Sequence, residues 1–97
     1  MMALNFWLEF GRKGVKVFPA LDWENRRYIF QVMLVEAKKE EGTIEDCYPV
    51  CTYRAEFDIQ NQVLKTKVRD EKILRILKQV AFLFADDDEI TIKLLRR

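Results

Sequence analysis

Only one stretch of this chain, RDEKILRILKQVAFLF at residues 69–84, spaces its apolar residues as a helix does. Nearly everything else alternates with the period of a strand, and that imbalance most restricts the fold. Within the stretch, Ile73, Ile76, Leu77, Val80, Leu83 and Phe84 recur at three- and four-residue intervals, with Lys72, Arg75, Lys78 and Gln79 opposite them. Asp70 stands where an N-cap belongs, and Glu71 occupies the first turn, the end of a helix that favours negative charge. The spacing predicts one amphipathic helix over about residues 70–84, ended by ADDDE (85–89) and followed by a last strand in ITIKLL.

Strand signals fill the remainder. In ALNFWLEF, Leu4, Phe6, Leu8 and Phe10 alternate with Asn5, Trp7 and Glu9, which assigns the first set to the core face and Trp7 to the other. GRKG (11–14) reads as a hairpin turn into VKVF, and Pro19 with DWEN (22–25) as the next break. RRYIFQVMLVEA (26–37) is rich in residues that prefer strands and reads as a strand buried on both faces; a helix capped by Asp22 is the alternative. KKEEGT (38–43) is a charged turn. Beyond it, Cys51, Tyr53, Ala55, Phe57 and Ile59 oppose Arg54, Glu56 and Asp58, QNQ (60–62) turns the chain, and Leu64, Thr66 and Val68 alternate with Lys65 and Lys67. The expected architecture is one α+β domain over residues 1–97. It has a mainly antiparallel sheet of five to six strands, one helix packed on one sheet face, and a final strand.

Composition narrows function by what is missing. The 97 residues contain no histidine and no serine, which excludes serine triads, cysteine–histidine pairs and histidine-ligated metal centres. No catalytic residue and no cofactor is assigned, and the chain reads as a non-enzyme. The one enzymatic form left open is carboxylate and metal chemistry at Asp86, Asp87, Asp88 and Glu89, with Lys93 nearby in sequence. Plentiful Glu, Lys and Arg beside sparse Asn, Gln and Thr suggest a thermophilic source. With no long apolar run and no signal-peptide pattern at the N-terminus, the expectation is a soluble cytoplasmic protein without a membrane partner.

Four features remain as candidate sites. Cys47 and Cys51 flank Pro49; an extended segment would hold their Cα atoms roughly 13 Å apart, too far for a disulfide. They supply half of a zinc shell, completed only if a dimer donates a pair from each chain, and the plainer reading is two small buried residues with Pro49 marking an edge or bulge. Asp86, Asp87, Asp88 and Glu89 lack the spacing and glycine of a calcium loop and read as a solvated turn. Lys65, Lys67, Arg69, Lys72, Arg75 and Lys78 form a cationic run suited to nucleic acid, though 16 acidic residues balance 17 basic ones. Finally, Trp7, Phe82, Tyr28 and Phe30 represent more apolar surface than a chain this small can hide, which predicts a homodimer with a large interface. The expected function is a small non-enzymatic, homodimeric interaction or regulatory module with a possible protein partner. The alternative is a nucleic-acid-binding accessory protein using the Lys65–Lys78 surface.

Overall fold

The computed structural model describes residues 3–38 and 43–96. Six strands run β1 (Leu4–Glu9), β2 (Lys13–Asp22), β3 (Arg27–Glu36), β4 (Tyr48–Asp58), β5 (Val63–Thr66) and β6 (Thr91–Leu94), with the helix α1 (Glu71–Phe82) between the last two and a short 3-10 turn at Ile44–Asp46. They form one curled sheet in sequence order. The first five make an antiparallel meander, and β6 returns parallel to β5 after the α1 crossover. The α+β architecture expected from the apolar periods is therefore the observed one, and residues 27–36 are strand, not helix. Of the charged segment 38–43, residues 39–42 lie outside the described residues.

The sheet is staggered. β1 pairs with residues 13–17 of β2, at one end of the long β2–β3–β4 ribbon, whereas β5 pairs with residues 55–58 of β4, at the other end. One face carries the core: Val15, Val17, Phe30, Val32, Ala55, Phe57 and Leu64 are enclosed beneath Ile73, Ile76, Leu77, Val80 and Ala81 of α1. Leu4, Phe6 and Leu8 pack on its margin, and Phe84 stacks on Tyr28 with ring centroids 4.1 Å apart. Thr66 is the one polar residue buried in this layer. Its hydroxyl donates to the Arg54 carbonyl (3.1 Å) and accepts from the Val68 amide (3.2 Å), so its burial leaves no orphaned group.

Local chemistry redirects several sequence expectations. Phe10 is 85% exposed, because β1 ends at Glu9 and Gly11, at φ 75°, turns the chain so that the Arg12 amide donates to the Glu9 carbonyl. Gly14 lies inside β2 instead of in the turn. A Cβ there would come within 2.8 Å of Ile44 Cδ1, so glycine is what lets the 3-10 turn lie flat on the sheet. Pro19 does not break β2. Beyond Val17 no β1 residue stands opposite, and a proline there forfeits no bond to β1. Leu83 caps the helix 65% exposed, and Ala81 takes the core position instead. Cys47 caps the 3-10 turn outside β4, and Tyr53 is exposed on β4 just past the stretch that pairs with β5.

Asp70 caps α1 as the sequence predicts, its Oδ1 accepting from the amides of Lys72 (2.9 Å) and Ile73 (3.1 Å). Replacing it with alanine is expected to lower the unfolding free energy by about 1 kcal/mol in urea titrations, with Asp70→Ser restoring most of it. An unchanged midpoint for Asp70→Ala would mean the cap contributes nothing.

Candidate interaction surface

The sheet face turned away from α1 divides in two. Toward β5 it is a charged network. Arg27 donates to Asp22 (2.9 Å) and to Glu56 (3.0 Å), Arg54 donates to Glu56 (3.1 Å), and Lys65 stands opposite Glu56 in register. The Asn25 amide, and after it Arg27, hold the Asp22 carboxyl below the ordinary aspartate value, while Asp22 raises the Arg27 guanidinium. Asp58 is lowered as well, chiefly by hydrogen bonds from the Asn61 backbone and side-chain amides. Toward β1 the same face is apolar, with half-buried Trp7, Phe18, Ala20, Ile29 and Met33 around Lys16 and Gln31. The only described element lying on it is the Ile44 turn, packed over Gly14.

The sequence-predicted sites separate in space. Phe30 is wholly enclosed in the chain's own core and is not presented to a partner; Tyr28 is half-buried and stacked on Phe84, and of the four interface candidates Trp7, Tyr28 and Phe82 keep exposed area. Two-sided apolarity in β3 misled here, because Phe30 and Val32 point to α1 while Ile29 and Met33 point away. The six cations do not share a surface. Lys65 lies with the charged network, Arg69 donates to the Leu95 carbonyl (2.7 Å), and Lys78 sits 5.9 Å over the Phe82 ring. Lys67 is exposed beyond β5, and Lys72 and Arg75 lie along the flank of α1 nearest β1.

Among the described residues, no group of three carboxylates and thiols is placed to hold a metal. Asp86, Asp87, Asp88 and Glu89 are exposed, and Gln62 clamps their backbone: its amide donates to the Asp87 carbonyl and its oxygen accepts from the Asp86 amide, both at 3.2 Å. Cys47 and Cys51 are free and half-buried, and the Cys47 thiol donates to the Thr43 carbonyl at 3.5 Å.

Two grooves were not legible beforehand. A shallow one, about 530 Å³, is lined by Trp23, Arg26, Ile59, Gln60 and Asp86 where the β2–β3 and β4–β5 turns meet the acidic turn. The other, about 570 Å³, lies between residues 5–8 of β1 and Lys72, Arg75, Ile76 and Gln79 of α1. A polar helix flank was readable from periodicity; its placement beside β1 depends on how the sheet curls.

Because Asp58 is depressed in the folded chain, its contribution is in place above the ordinary value of 3.8 and is lost as pH falls through the folded value. The gap in thermal midpoint between wild type and Asp58→Asn is expected to be full near neutral pH and to close in acid below 3.8. A gap independent of pH would show that charge at Asp58 adds nothing. In comparisons with known proteins, no protein-family model, no curated protein and no solved structure matches this chain.

Proposed function

We propose that the chain is a small non-enzymatic interaction module that works as a homodimer, joined through the apolar half of the sheet face turned away from α1. The observation that carries this reading is the set Trp7, Phe18, Ala20, Ile29 and Met33, apolar residues of three adjacent strands with no described layer over them apart from the Ile44 turn at one side. A solvated antiparallel face ordinarily alternates to polar side chains, as this one does toward β5. An interface of about 1,000 Å² per chain, typical of a stable dimer, would take roughly one seventh of the 6824 Å² of accessible surface. Phe82, 40% exposed on the outer side of α1, lies on the opposite layer and belongs to a second contact.

A cytoplasmic location is part of the proposal and is supported by two unbridged cysteines, which suit a reducing compartment. So is a thermophilic source, supported by the composition. Nucleic acid is disfavoured. Of the six candidate cations only Lys72 and Arg75 share one groove, too short a track to neutralise more than about two phosphates.

Light scattering at micromolar concentration is expected to give twice the 11.6 kDa chain mass, with a thermal midpoint that rises with protein concentration and lies above the roughly 45–65 °C usual for mesophile domains. Ile29→Lys with Met33→Lys is expected to yield a folded monomer. A wild-type chain that stays monomeric and folded at all concentrations removes the homodimer; an ordinary midpoint removes only the thermophilic source.

A further inference from the structure

Among the described residues nothing pairs with the outer side of β1, where the sheet order begins, so it is a strand edge. Unpaired strand edges expose amide and carbonyl groups that another extended chain can satisfy. Four consecutive residues, 5–8, line the groove beside it, from both sheet faces, so the groove runs along the strand's outer backbone and not over one face. Its opposite wall is a single ridge of α1: Lys72, Arg75, Ile76 and Gln79 follow the i, i+3, i+4, i+7 spacing of neighbours on a helix surface. From Lys72 to Gln79 the helix rises about 10 Å, and from residue 5 to residue 8 the strand spans about 10 Å. The two walls therefore match in length, and what fits between them is three or four residues of extended polypeptide.

Charge selects the occupant. Lys72 and Arg75 are exposed, and among the described residues neither is paired with a carboxylate. Among the described residues no acidic side chain lines the groove; Glu9, at the end of β1, already pairs with Arg12 at 3.7 Å. We infer that β1 and α1 together form a docking site for an extended acidic segment of a protein partner, which adds to the sheet as a seventh strand beside β1. Alternate side chains of an added strand point to one face. The segment therefore carries Asp or Glu at every second position, directed at Lys72 and Arg75, while Ile76 and the methylenes of the two cations cover its apolar stems. Phosphates would find the two cations and can accept from the strand's amides, but they bring no donors for its carbonyls, which an added strand satisfies as well. This site shares Trp7 with the proposed dimer face but is built on the strand edge and α1, so a monomeric chain would leave it intact.

The test uses fluorescence polarisation with a fluorescein-labelled octapeptide of alternating glutamate and valine. Binding is expected to weaken by about tenfold or more when its glutamates become glutamine, and likewise with Lys72→Glu and Arg75→Glu together, which exchange two attractions for two repulsions. The exchange Lys72→Arg with Arg75→Lys is expected to retain it. Circular dichroism melts confirm that each variant is folded, as the exposure of both positions predicts. An added strand bonds through the amides of alternate residues only. Of two peptides N-methylated at the valines or at the glutamates, one is expected to lose binding and the other to keep it. No binding at millimolar peptide, or equal binding of the two methylated forms, overturns the proposal. So does oligothymidylate binding in the peptide's place with loss in the charge variants, or a change in oligomeric state of those variants with no peptide bound, which would give the edge to a second copy.

Discussion

The layer formed by Ile73, Ile76, Leu77, Val80 and Ala81 of α1 on Val17, Phe30, Val32, Phe57 and Leu64 is the constraint that everything else answers to. The described residues hold one α-helix, and it can cover one band of one sheet face. Twelve helical residues span about 18 Å, whereas six strands extend about 24 Å across the sheet and the ten- and eleven-residue strands run about 33 Å along it. Beneath the helix, burial is complete. On the same face, Leu21 near the end of β2 and Tyr53 on β4 just past the stretch paired with β5 are 47% and 38% exposed. A chain with this element list has a surplus of sheet over cover.

Stagger distributes that surplus. Placing β1 at one end of the ribbon and β5 with β6 at the other leaves residues 18–22 of β2 and 48–52 of β4 with no described strand on one side, in addition to the outer edge of β1. Two devices blunt these edges. Pro19 removes an amide from the first, and Pro49, beside the unpaired Val50 that interrupts the register, does so on the second. β1 has no proline. Its irregularity falls between Trp7 and Glu9, so residues 4–7 keep regular pairing and present a straight edge, the one that α1 walls in.

Alternation made the sheet readable, since Leu64, Thr66 and Val68, or Ala55 and Phe57, are buried as a period of two requires. It failed where a single residue's backbone decided the outcome. Phe10 continued the alternation of β1 but falls after the strand end that Gly11 imposes, and Leu83 continued the helical stripe one residue past the last helical turn. Pro19 was read as a break because a sequence does not reveal which side of a strand is paired. The candidate surfaces were legible only in part: Trp7 on the far face and Lys72 with Arg75 on the helix's polar side follow from spacing alone. That Phe30 is core, and that the polar helix flank lies against β1, follow from tertiary placement, to which periodicity is blind.

The apolar half of the open face also limits the geometry of any self-association. A two-fold interface sets each residue against its own symmetry mate at the axis and against other residues away from it. Lys16 lies among the apolar residues, with Asn5 and Met33 opposite it in register, so an axis passing beside it would bury two like charges together. The Arg27–Asp22–Glu56 network bounds the patch on the other side; its carboxylates and guanidinium already satisfy one another and gain little from further desolvation. An axis near Phe18, which stands opposite Gln31, keeps the two Lys16 ammonium groups apart and lets each reach solvent at the rim, with Ile29 and Met33 of both chains enclosed.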